Sequence, residues 1–202
     1  MIMVHATMAS VNGYKVRLFL SLLGKDFMLK ELDMYGGEHK QPPFLSLNPF
    51  GQMPALEDDG FVVADSHGCL TYLARKYGKD VWLPADPEGM GKVAEWMSKS
   101  ANEIHQGPWM ARAKQRRPDA VALSDEEIHV RCDYVLGVMN GHLYGRDWLA
   151  AGHATIADIS CFSPISILPE CGYKTDKWDN VTAWLGRVRA LPGAIDSDGN
   201  PF

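Results

Sequence analysis

The sequence lacks the patterns of a metal or disulfide protein. Its four cysteines, Cys69, Cys132, Cys161 and Cys171, form no C-x-x-C pair and keep no metal-ligand spacing with histidine. They read as buried free thiols of a chain in a reducing compartment, and no metal is expected. A basic excess is missing too: a net charge of -5 and a pI near 5.8 argue against nucleic acid as the main partner. No apolar run approaches the ~20 residues that span a bilayer. The opening Met1–Ala6 has neither the basic start nor the long apolar stretch of a signal peptide. Internal repeats and low-complexity tracts are absent. The expectation is a cytoplasmic protein with no membrane partner.

What is present is enough apolar material for a sizeable core, 46% of 202 residues, with 22% charged. The stretch from Asn48 to Leu73 organises the chain. Asn48-Pro49-Phe50-Gly51 marks a turn, and Pro54 belongs at a strand start, an edge or a bend because it has no N–H for a sheet. Asp58-Asp59-Gly60 reads as a hairpin turn between Ala55-Leu56 and Phe61-Val62-Val63. Asp65-Ser66 then opens a helix on which Leu70, Leu73, Ala74 and Tyr77 recur at helical spacing. A helix N-terminus attracts anions through unpaired N–H groups and its dipole.

Upstream, Ile2–Ala6 reads as a buried strand, Thr7 to Gly13 as a loop, and Tyr14 to Leu23 as a helix closed by Gly24. Phe27 to Leu32 is a second strand, which makes a β-α-β unit with a parallel pair. Met34 to Ser46 is a polar surface loop with at most a short helix. Residues 79–88, with Pro84 and Pro87, form the linker between a first domain, 1–78, and a second, 89–202. The second domain shows no alternating segment and reads as all-helical. Its helix starts include Ser124-Asp125-Glu126-Glu127 and Thr155-Ile156-Ala157-Asp158, a capping box with Asp in place of Glu or Gln. Thr155 and Asp158 are read as determinants of the fold and not as catalysts.

The run Asn-Pro-Phe-Gly-Gln-Met-Pro-Ala-Leu, followed by Asp65-Ser66 and its helix, resembles the glutathione-binding segment of cytosolic glutathione S-transferases. Ser10 to Arg17 is similar to the Ser-Gly-Asn-Cys-Tyr-Lys-Val-Arg run of many bacterial, serine-type members related to the theta and beta classes. Thr155–Ser160 is similar to the capping box of that family's core helix, and Glu103–Pro108 and Tyr144–Leu149 also look like bacterial members. The resemblance implies a thioredoxin-like first domain (α/β), an all-α second domain, and a homodimer. It also implies glutathione as co-substrate for conjugation to a small electrophile.

Under that resemblance Ser66 and the helix start take the γ-glutamyl carboxylate, and Asp65 faces its ammonium. Met53 pairs by backbone with the glutathione cysteine ahead of a cis Pro54. Gln52, with His39 or Lys40, reaches the glycyl carboxylate. Ser10 stabilises the thiolate, with Asn12 as a second or substitute donor and Thr7 behind them. Gly13 stands where many bacterial relatives carry Cys, which argues against mixed-disulfide chemistry there. The electrophile pocket is expected between the domains, with Met8, His105 and Trp109 lining it. The acidic segment Ile195–Phe202 either closes over that pocket or frays. Two other readings keep the fold: a glutathione or ligand-binding protein without transferase activity, and a glutathione-dependent peroxidase, lyase or isomerase.

Overall fold

In the computed structural model, which describes residues 1–202, the apolar pentapeptide Ile2–Ala6 forms β1. Val4 and Ala6 are fully buried, so β1 runs through the centre of a sheet. It pairs in parallel with β2 (Phe27–Glu31) and antiparallel with β3 (Ala55–Asp58). β4 (Phe61–Ala64) returns antiparallel along β3, giving the order β2-β1-β3-β4. Asp59 and Gly60 join β3 to β4 with φ of 50° and 88°, the left-handed pair that a tight hairpin of this hand requires.

The crossover from β1 to β2 is α1 (Val11–Leu22). It begins earlier than its sequence suggests, because Ser10 is its N-cap and the first turn takes in Asn12 and Gly13. It ends in a Schellman arrangement: Gly24 at φ 60° lets Lys25 N–H reach Leu20 C=O at 2.9 Å. α2 (Pro42–Leu45) is a single turn that seats Phe44 in a small core with Leu32 and Ala55. α3 (Ser66–Tyr77) packs on α1 and on the β3–β4 hairpin. This mixed four-stranded sheet with its helices is the expected thioredoxin-like domain. Asp58 ties the end of β3 to α3. One carboxylate oxygen accepts from Tyr77 at 2.7 Å, Lys76 at 2.8 Å and Tyr72 at 3.0 Å.

The rest of the helices are α4 (Lys79–Trp82), α5 (Pro87–Ala101), α6 (Met110–Arg116), α7 (Asp125–His142), α8 (Ile156–Ser166) and α9 (Asp179–Arg189). The chain forms two packed units, Val81–Leu191 and Met1–Asp80 with Pro192–Phe202. The second unit is helical and built around α8, which is buried along its length. Asp158, in the first turn of α8, is fully buried and accepts from four donors. Leu149 N–H and Trp184 Nε1–H reach Oδ1, each at 3.0 Å, while Thr155 N–H (2.9 Å) and its hydroxyl (3.1 Å) reach Oδ2. Burial pushes this carboxyl above its ordinary range against the pull of those bonds. Its role is structural, as the sequence suggests. No helix is long and apolar enough to cross a membrane.

Candidate functional site

The candidate residues of the first unit fall on three connections at the sheet: β1 to α1, the approach to β3, and β4 to α3. The first holds Met8 and Ser10, with Asn12 just beyond it in α1. Glu31, at the end of β2, fixes this loop by accepting from Thr7 Oγ1 at 2.8 Å and from Met8 N–H at 2.9 Å and 3.0 Å. Ser10 N–H closes a turn on Thr7 C=O at 2.9 Å. The Ser10 hydroxyl oxygen then accepts from Gly13 N–H at 3.0 Å, capping α1. One lone pair is thereby used, and the O–H remains free to donate to a ligand. Gly13 is required by space: a Cβ there would lie 2.8 Å from the Cβ of Ala6 and 3.2 Å from that of Ser10. Asn12 is half-buried in the first turn of α1, beyond the loop assigned to it by sequence.

On the approach to β3, the turn before Met53 is organised by Asn48, a buried residue whose side-chain bonds the sequence does not show. Its side chain accepts from Phe50 N–H at 3.1 Å and donates to Gln52 C=O at 2.6 Å. Lys40 Nζ donates to Phe50 C=O at 3.0 Å, so its ammonium is already engaged in bracing the segment that carries Gln52. His39, half-buried, lies on the other side of the same contact: its carbonyl and the Lys40 side chain crowd the position where a Cβ of Gly51 would go. Met53-Pro54 is cis, as the resemblance implies. Pro54 C=O accepts from Asp65 N–H at 3.3 Å, which links this segment to the third connection. Neither Met53 N–H nor Met53 C=O pairs with the protein backbone, so both groups of this bend residue are open to a peptide-like ligand.

Asp65 sits at φ 103°, a conformation strained for a residue with a side chain, and such strain gathers at functional positions. Its Oδ1 accepts from His67 N–H at 2.8 Å and Gly68 N–H at 3.0 Å. The sequence suggests an open helix start for an anion; here the helix's own cap occupies two of those donors. What remains for a carboxylate is Ser66, through its N–H and its hydroxyl, with the second oxygen of Asp65 beside it for an ammonium. His67 is neutral at pH 7, since burial, with the Lys15 ammonium next to it, pushes its imidazole down to about 4. Lys15 Nζ lies 3.4 Å from His67 Nε2.

The remaining candidates, His105 and Trp109, lie in the second unit. They stack with ring centroids 4.2 Å apart and 18° between planes, on a π-helical turn, His105–Trp109, that leads into α6. Gly107 allows that turn to approach α7, since a Cβ there would lie 3.0 Å from the Cys132 nitrogen. Single π-turns often mark functional positions in helices.

These sheet connections lie within a stretch that matches a known family. The family model described as the glutathione S-transferase N-terminal domain matches residues 9–76, and that of the C-terminal domain matches residues 92–192. The chain belongs to the glutathione S-transferase family. A solved structure of a possible glutathione S-transferase from Rhodopseudomonas palustris is 32% identical, with 99% of each chain covered and a TM-score of 0.85. A glutathione S-transferase from Pseudomonas fluorescens is 28% identical over 97% of this chain and 98% of its own, with a TM-score of 0.87. A delta-class glutathione transferase from Nilaparvata lugens is 29% identical over 96% and 91%, also at 0.87.

Within this transferase fold, sequence reasoning missed Glu31, and it placed Arg17 and Asn48 in their motifs without seeing the contacts by which they shape the connections. Lys15 and Arg17 give the clearest available signal. They are cations inside the apolar run Val11–Leu22, and both are buried.

Proposed function

We propose that the chain is a glutathione transferase that stabilises the glutathione thiolate with the Ser10 hydroxyl and adds it to an electrophilic carbon. Met53 pairs with the peptide backbone of glutathione. Ser66 takes the γ-glutamyl carboxylate and Asp65 its ammonium, while Gln52 and the His39–Lys40 turn serve the glycyl carboxylate. The observation that carries this reading is the Ser10 geometry, in which Gly13 N–H holds the oxygen and leaves the O–H free to donate.

The energy required is modest. A free thiol with pKa ~8.5 is only a few per cent ionised at pH 7. Lowering that by two pH units needs ~2.7 kcal/mol of preference for the thiolate. One hydrogen bond to a charged group supplies about 1.5–3 kcal/mol, and a helix start about 0.3–1 more. Ser10 therefore suffices without losing its own proton, and positioning accounts for the rest of the rate. The stacked His105–Trp109 pair is our candidate surface for the electrophile. Following the family habit, the working assembly is a homodimer, which light scattering checks.

The test is glutathione titration of wild type and Ser10→Ala, reading thiolate absorbance across pH and turnover of a chloronitroaromatic. Wild type should bind, ionise and react, while Ser10→Ala binds glutathione but reacts at least tenfold more slowly. A mutant with undiminished turnover moves the donor role to Asn12. A wild type that does not bind glutathione ends the transferase reading.

A further inference from the structure

The segment Pro192–Phe202 follows the last helix of the second unit, yet it packs with the first. It is held to α1 through its backbone carbonyls. Tyr14 OH donates to Ile195 C=O at 2.7 Å, and Ser21 Oγ donates to Gly193 C=O at 2.6 Å. Gly193, at φ 84°, lies so close to α1 that a Cβ would sit 2.8 Å from the Ser21 carbonyl oxygen. The segment folds on itself through Asp196, whose Oδ1 accepts from Asp198 N–H and Asn200 N–H, each at 2.9 Å.

The decisive contact is made by Arg17, 1% exposed in the middle of α1. A single nitrogen, Nη2, donates to Met8 C=O at 2.9 Å and to Ser197 C=O at 2.8 Å. The Met8 peptide is thus held at both ends, its N–H by Glu31 and its carbonyl by Arg17. Two residues later the chain reaches Ser10. Arg17 Nε is buried without a hydrogen-bond partner, and the guanidinium carbon lies 5.7 Å from the centre of the Tyr14 ring. We propose that Arg17 is a positioning residue for the Ser10 loop and that the segment Pro192–Phe202 is the clasp that holds it there. The functional half of this proposal rests on Ser10 acting as the thiolate donor.

The charges facing Arg17 fit a structural cation. Burial lowers its pKa, while Tyr14 on its own helix, Glu31 from β2, and Asp198 and Asp196 from the clasp oppose that. An arginine stays protonated regardless. Arg17 keeps its charge across the range where a thiol titrates, so a moved thiol titration reports loop geometry.

The experiment compares wild type with a chain ending at Leu191, with Arg17→Lys and with Tyr14→Phe. Three quantities are read: amide hydrogen exchange of peptides covering residues 4–14, the pH dependence of bound-thiolate absorbance, and kcat and KM for glutathione. In the shortened chain and in Arg17→Lys, exchange of the loop amides should rise about tenfold. The thiolate titration should move up by about one pH unit. kcat should fall about tenfold while KM stays within about threefold, because the groups that bind glutathione lie on other connections. Tyr14→Phe should move all three the same way by less. Ser197→Ala keeps the carbonyl and should match wild type.

A shortened chain that folds and exchanges its loop amides as slowly as wild type overturns the clasp. Should the shortened chain fail to fold, wild-type exchange in both Arg17→Lys and Tyr14→Phe overturns it equally. A wild type that shows no bound thiolate removes the transferase reading, and the exchange data still decide whether Arg17 holds the loop.

Discussion

Replacing Asp158 by Ala should unfold the helical unit well before the rest of the molecule. Both carboxylate oxygens are used, Oδ1 by Leu149 N–H and Trp184 Nε1–H and Oδ2 by the Thr155 N–H and hydroxyl. Alanine leaves three buried N–H donors without acceptors, whereas the Thr155 hydroxyl can rotate. Each orphaned donor costs about 1–3 kcal/mol. Water entering the vacated volume recovers part of that, so we expect a loss of about 4 kcal/mol. For a protein of this size that lowers the melting temperature by roughly 8–16 °C. Asp158→Asn should fall between the two, because its NH2 must face either the Thr155 N–H or the Leu149–Trp184 pair. The assay is convenient: all six tryptophans, residues 82, 96, 109, 148, 178 and 184, lie within Val81–Leu191, so tryptophan emission follows that unit alone. A melting temperature lowered by less than about 3 °C, equivalent to one kcal/mol or so, would refute the reasoning.

Three further outcomes follow from the first unit. The Lys76 and tyrosine bonds overcome burial and hold Asp58 below its ordinary carboxylate value of 3.8. A depressed folded pKa stabilises above the unfolded value and is lost as pH falls through the folded one. Asp58→Asn should therefore lose about 2 kcal/mol at pH 7, a deficit that narrows below about pH 4; calorimetric melts at several pH values check this, and a constant deficit counts against it. Gly13→Ala should lower stability by about 1 kcal/mol, because crowding against Ala6 and Ser10 outweighs the usual helix gain of about 0.5–1 kcal/mol; a higher melting temperature contradicts it. Ser66→Ala should weaken glutathione binding roughly 10- to 100-fold in calorimetry through loss of a hydrogen bond to a charged group. Unchanged affinity would remove Ser66 from the site.

Much of the first unit could be read because its turns and caps are chemically explicit. Asp59-Gly60 permits the left-handed pair that the hairpin needs, and Gly24 closes α1 where the apolar rhythm stops. The start of α1 was harder, since Asn12 and Gly13 are weak helix formers and the cap that outweighs them is a hydrogen bond from Gly13 N–H to Ser10 Oγ. The clasp was unreadable for a related reason. Ile195–Phe202 looks polar and loose, but it is held through backbone carbonyls, which every residue has and no composition reveals. Asp65 shows the same limit: the pattern places a carboxylate at a helix start, but not which N–H groups that carboxylate takes for itself. Buried cations such as Arg17 stand out in an apolar helix, yet their partners lie far away in the chain.

The self-capped start of α3 has a consequence for how the protein responds to its medium. A bare helix terminus is a positive pole that any small anion can find, and salt weakens its long reach. With the Asp65 carboxylate seated on His67 and Gly68, that pole is already neutralised from within. The socket left behind, Ser66 beside a carboxylate, matches a zwitterion in which plus and minus arrive together. Under the proposed function, recognition of an amino-acid end would rely on short contacts instead of a long-range field. Chloride, sulfate and phosphate should then be poor competitors for such a socket, and affinity for a zwitterionic ligand should hold steady as ionic strength rises.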